Sequence, residues 1–133
     1  MRKEREGHIY PAYTLRPSRD LAAKYLASQG APVELCAVPL TYMIFLRGEA
    51  HGVDLFQDLD IPRNKALHGG QRYEWFAPIG WDDDVRVTTT VLKIVEKTTK
   101  NGPLWIADIQ YDYALAGTQQ VAVRELTRII KRS

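Results

Sequence analysis

Between Val38 and Gly52 the chain reads VPLTYMIFLRGEAHG, and the part from Leu40 to Leu46 is apolar nearly all the way round a helix. Pro39 fits the first turn of such a helix, and Gly52 can terminate it. The run falls well short of the roughly 18 apolar residues a membrane span needs. A short helix without a polar face has to be enclosed by the rest of its own chain. The second half supplies material for that enclosure. Residues 67–79, 84–97, 103–116 and 119–132 are rich in β-branched and aromatic side chains. In the third of these, Trp105, Ala107, Ile109, Tyr111, Tyr113 and Leu115 alternate with Asp108, Gln110 and Asp112, the period of two of a half-buried strand.

Turn chemistry separates these segments. Thr98–Gly102 (TTKNG) ends in Asn-Gly, a hairpin signal; Gly117–Thr118 predicts a second tight turn, and Gly80–Asp84 a third connection. Strands this much longer than the usual five or six residues require a curved sheet. Upstream, residues 8–15 (HIYPAYTL) read as extended, with Pro11 excluding a central strand. Ser18 predicts the N-cap of a helix running to about Ser28. Leu21, Ala22, Tyr25 and Leu26 share one of its faces, Asp20 suits its first turn, and Gly30 ends it. Residues 1–7 are mostly charged and read as frayed. The expected fold class is α+β: a long antiparallel meander curled around one central buried helix at about 39–51, with residues 1–133 forming a single domain.

Charge and composition narrow the function. With 18 Lys and Arg against 16 Asp and Glu, net +2, the chain lacks the basic excess of a nucleic-acid binder. Cys36, the lone cysteine, rules out an internal disulfide framework and fits a reducing, cytoplasmic setting. MRKEREGHIY has no apolar core of a signal peptide, and neither membrane span nor cofactor motif is present. His8, His51 and His68 are too scattered for a metal-ligand spacing, and Asp82-Asp83-Asp84 fits a solvated turn better than an ion site.

The stretch ALHGGQRYEWFAPIGWDDDVRVTTTVLKIVEK, residues 66–97, resembles the N-terminal half of MaoC-like dehydratases, including subunits of the mycobacterial (3R)-hydroxyacyl-ACP dehydratases. The matching positions are His68, Gly69, Gln71 and Tyr73, then Ala77-Pro78, then Asp83-Asp84, then Glu96-Lys97, with a weaker likeness over residues 8–29. The resemblance implies a hot-dog fold acting on acyl-CoA or acyl-ACP thioesters, adding water to or removing it from the double bond beside the thioester carbonyl. Active members of the family use an Asp and a His in a G-D-x-N-P-x-H segment just before the central helix. Here residues 28–42 read SQGAPVELCAVPLTY, with neither. That departure points to a subunit that lacks the catalytic pair and works as a homodimer or as the heterodimeric partner of a catalytic MaoC-like chain. A hot-dog acyl-CoA thioesterase and a non-catalytic acyl-thioester binding protein are the alternatives, although Glu49, the only carboxylate within the predicted helix, lies near its wrong end for the first.

Candidate site residues follow from both readings. His68 is the catalytic candidate, against the plainer reading of a hydrogen-bonded structural histidine, since no orienting carboxylate stands beside it in sequence. Glu34 is the one carboxylate near the expected chemistry and Cys36 a thiol without an indicated base, so an exposed loop glutamate and an inert buried thiol are the plainer readings. Gly69, Gly70 and Gln71 are substrate-binding candidates, because glycines permit close backbone approach. Arg63, Lys65 and Arg72 join them as cations for the phosphates of coenzyme A or an acidic carrier protein, weighed evenly against scattered surface charge. Arg124, Arg128, Lys131 and Arg132 read as a solvated face, and Trp75, Phe76 and Trp81 as core or dimer interface.

Overall fold

Five strands and two short helices are found in the computed structural model, which describes residues 1–31, 33, 38, 48 and 51–133. The predicted central helix, with Glu34 and Cys36 ahead of it, falls on residues outside that set. In chain order the elements are β1 (Tyr13–Leu15), α1 (Arg19–Ser28), α2 (Leu55–Asp58), β2 (Ala66–Trp75), β3 (Val85–Thr99), β4 (Gly102–Leu115) and β5 (Val121–Lys131). The strands form one antiparallel sheet in the order β1-β3-β4-β5-β2.

α1 starts where the capping chemistry places it: the Ser18 side chain accepts from the Leu21 N–H at 3.3 Å. Gly30, at φ 67°, turns the chain away after the helix. Ala22 is the residue this helix buries, whereas Leu21 is exposed, so the expected four-residue apolar face is narrower than its spacing suggests. The β3–β4 hairpin turns one residue earlier than Asn-Gly predicts. Thr99 pairs with Gly102, leaving Lys100-Asn101 in the turn, and Gly102 takes φ 105° as the first residue of β4. Between β4 and β5 the left-handed residue is Gln119, at φ 60°, and not Gly117.

One face of the sheet is buried, in rows that register defines: Val87–Tyr113–Val123–Trp75, Thr89–Tyr111–Glu125–Tyr73, Val91–Ile109–Thr127–Gln71 and Ile94–Ala107–Ile129–His68. Antiparallel partners share a face, so each row projects to the same side. Most members on β3, β4 and β5 are buried, and Leu59 and Ile61 join the same core from the segment ahead of β2. Two bulges keep the rows in phase. On β3 the register shifts between Val91 and Lys93, and on β2 between His68 and Gly70. An extra residue puts positions three apart on one face, where an unbroken strand would put them on opposite faces. Val91 and Ile94 are both buried for that reason, and His68 and Gln71 share the inner face for the same reason.

The first ten residues are not frayed. Lys3–Arg5 form a 3-10 turn, and the segment then runs along the free edge of β3. Gly7 donates to the Val91 carbonyl at 2.7 Å, Val91 donates to His8 at 2.9 Å, and Tyr10 donates to Thr89 at 2.9 Å. At the bulge the Ile94 N–H donates to the Glu6 carboxylate at 2.7 Å while Lys3 Nζ donates to the Ile94 carbonyl. The charges that suggest disorder in the sequence are the groups that satisfy a bulged strand.

Candidate functional site

Among the described residues β2 is the terminal strand of the sheet, and it carries the HGGQRYEW motif along its outer edge. Two glycines shape its bulge for separate reasons. A Cβ on Gly69 would lie 2.8 Å from Ile130 Cδ1 and 2.9 Å from Arg128 Cγ, so the approach of β5 excludes a side chain there. Gly70 sits at φ 155°, a backbone region that L residues avoid. Together they bring His68 into line with Gln71, Tyr73 and Trp75 on the inner face.

The centre of that face is polar. Glu125 is fully buried, and its carboxylate accepts from Tyr113 Oη at 2.7 Å, Thr127 Oγ1 at 3.0 Å and Gln71 Nε2 at 2.5 Å. Gln71 Nε2 also donates to Tyr73 Oη at 2.7 Å. Burying a carboxylate is costly unless its lone pairs are occupied, and three donors from three strands occupy them here. Thr89, in the same row, buries a hydroxyl that has no hydrogen-bond partner among the described residues. Sequence reasoning nominated Gln71 and missed Glu125. The signal was present: Glu125 stands at an inward position of the Val123–Glu125–Thr127–Ile129 alternation, where a carboxylate is out of place.

The outer face is different. Arg128 pairs with Asp108 at 2.7 and 3.0 Å, and Arg124 with Asp112 at 2.8 and 3.3 Å, both two-pronged across β4 and β5. Lys131, on the inner face in register with Trp105 and Ala66, reaches Asp60 at 3.3 Å. These arginines and this lysine are therefore paired cations, not the merely solvated face expected. A groove of about 270 Å³ lies beside the two bulges, lined among others by Gly69, Gly70, Arg72, Leu92, Leu126 and Arg128.

The cation candidates do not converge. Arg63 stacks its guanidinium 4.4 Å over the Phe56 ring and shares a 3-10 turn with Lys65 before β2, while Arg72 lies well along the strand, roughly 20 Å from Lys65 at about 3.3 Å per residue. His68 is exposed and makes no hydrogen bond, ion pair or ring contact among the described residues. His8 packs edge-on against Tyr10 at 4.6 Å, and His51 stacks on Tyr13 at 5.0 Å. Asp83 accepts from the Gly80 N–H at 2.7 Å and Asp84 pairs with Arg16 at 3.1 Å, so the acidic triplet serves its turn. No cluster of His, Cys, Asp or Glu suited to a metal ion occurs among the described residues, and no described helix is long and apolar enough to cross a membrane.

Residues 25–122, most of the chain, match the family model of the FAS1-like dehydratase domain region. The chain belongs to this dehydratase family. No curated protein sequence matches it. Solved structures share its fold at low identity. A chain of the ChsH1–ChsH2 complex from Mycobacterium tuberculosis superposes with a TM-score of 0.71 at 12% identity, covering 93% of this chain and 84% of that one. A chain of the C-terminally truncated HadBC (3R-hydroxyacyl-ACP dehydratase) complex from the same organism gives 0.66 at 14%, covering 95% and 96%. The MaoC-like dehydratase from Rhodospirillum rubrum gives 0.61 at 17%, covering 96% and 94%. The α+β sheet of this dehydratase-family chain is thus the hot-dog fold expected from residues 66–97.

Proposed function

We infer that the chain is one subunit of an acyl-thioester hydratase or dehydratase, and that a partner subunit supplies the proton-transfer pair. The observation that carries this reading is the segment SQGAPVELCAVPLTY, residues 28–42, which offers neither Asp nor His where the resembling family keeps both. Dehydration beside a thioester needs one group to remove the α-proton and another to protonate the departing hydroxyl, each within hydrogen-bond reach. Glu34 and Cys36 do not make such a pair. In this reading the chain contributes walls from the inner face of its sheet, with His68, Gly69, Gly70 and Gln71 at the outer edge of β2.

Two further observations support a partner. The edge of β2 has no strand beside it among the described residues, and Leu67, Trp75 and Phe76 expose apolar area along or just beyond it. The ChsH1–ChsH2 and HadBC chains that share the fold were crystallised as complexes of two different subunits. An acyl-CoA or acyl-ACP thioester is the substrate class of this assignment. The test is co-purification with an untagged partner, followed by enoyl-thioester hydration assays on each subunit and on the mixture. Activity near background for this chain alone and about 10²–10⁴-fold higher in the mixture is expected, the usual range for general acid–base catalysis. Full turnover by the chain alone would refute the division of labour, and His68→Ala and Glu34→Gln would then identify the base.

A further inference from the structure

The buried Glu125 carboxylate fixes which end of the Gln71 amide a ligand meets. Gln71 Nε2 donates to the Glu125 carboxyl at 2.5 Å, so the end of the amide held against Glu125 is the NH2. Its second N–H goes to Tyr73 Oη at 2.7 Å. Both donors of Gln71 are thereby used inside the chain. The carbonyl oxygen accepts no hydrogen bond among the described residues, and the side chain is exposed at the sheet edge. Glu125 is itself held by Tyr113 and Thr127 from the two inner strands, so the amide cannot turn over without breaking a network that spans β4, β5 and β2.

We propose that Gln71 is a specificity-determining residue whose outward carbonyl selects a ligand that donates a hydrogen bond, and that Glu125 is the positioning residue that locks it that way round. The proposal rests on the acyl-thioester reading and deepens it: the donor is the hydroxyl of a 3-hydroxyacyl thioester, which its saturated, deoxy counterpart lacks. One neutral hydrogen bond that forms only with the hydroxylated ligand corresponds to about a fivefold difference in affinity.

The test is calorimetric titration of the full chain, with its partner subunit where one co-purifies, using 3-hydroxyoctanoyl-CoA and octanoyl-CoA. Wild type is expected to bind the hydroxylated thioester about fivefold more tightly. In Gln71→Met the ratio falls to about one. In Glu125→Gln, close to isosteric, position 125 offers both donors and an acceptor, so Gln71 can sit either way round and the ratio again falls toward one. A double variant should match Gln71→Met. If Glu125 served only stability, Glu125→Gln would lower the melting temperature or weaken both ligands equally and leave the ratio intact, overturning the positioning role. Equal binding of the two thioesters by wild type overturns the proposal while leaving the acyl-thioester reading standing. Binding of neither overturns both.

Discussion

Gly70 and Gly69 sit side by side, and an alanine at each meets a different obstacle. At Gly70 the barrier is conformational, because φ 155° is a region side chains avoid; Gly70→Ala should cost about 1–3 kcal/mol in chemical denaturation. At Gly69 the obstacle is steric: Ile130 Cδ1 at 2.8 Å, with Ile130 Cγ1 and Arg128 Cγ at 2.9 Å, sits too close to the β5 backbone to swing clear, so Gly69→Ala should cost at least as much. The reverse order would show that the bulge is not held as described. Thr89 offers an opposite case. Its buried hydroxyl has no partner among the described residues, and Thr89→Val removes it at nearly constant volume. We expect Thr89→Val to stabilise by about 1 kcal/mol; a lower melting temperature would mean that the hydroxyl is satisfied in solution.

At the scale of elements, the amino-terminal segment depends on its carboxylates. Hydrogen bonding from the Ile94 N–H, and then from Lys3, holds the Glu6 carboxyl below its ordinary 4.5. Burial works against ionised Asp58, but hydrogen bonds from Tyr10 and Arg5 outweigh it and keep that carboxyl below its ordinary 3.8. The Tyr10 phenol is pushed well above its usual range by burial and by Asp58. Carboxyls that ionise more readily folded than unfolded stabilise the folded state fully above about pH 5, and that contribution is lost as pH falls through the depressed folded-state values. Protection of the Gly7 and Tyr10 amides, taken relative to the intrinsic exchange rate at each pH, should therefore fall in acid before that of the sheet centre. Glu6→Gln and Asp58→Asn should exchange fast at neutral pH and flatten the acid response; an unchanged acid response would exclude both carboxyls as its source.

The strands and α1 were legible in the sequence because alternation, the Ser18 cap and turn residues act locally. The same rules misplaced what long-range pairing decides. KEREG reads as a charged tail until Ile94, far away in sequence, presents an N–H and a carbonyl to Glu6 and Lys3. Gln71 was nominated through resemblance, but its role depends on Glu125, and no local rule joins residues in different strands. Arg63, Lys65 and Arg72 show the converse, since closeness along a chain in β2 becomes distance in space.

For the whole molecule, the outer edge of β2, unpaired among the described residues, predicts association. Sedimentation velocity at micromolar concentration should find the chain dimeric or bound to its partner, and Trp75→Lys, placing a charge on an apolar side chain that is 41% exposed beside that edge, should shift it toward monomer. An unshifted distribution would locate the contact elsewhere. The opposite margin of the sheet leads to a separate consequence. Because residues 7–15 already lie along β3, a copy joining at β2 leaves no second growing end, and assembly stops at two sheets. Removing residues 1–10 would uncover β3 and give each molecule two sticky margins. The dimer would then become the repeat unit of a polymer, and light scattering that rises with concentration and never plateaus would report it. The charged first turn thus acts as a chain terminator for the assembly.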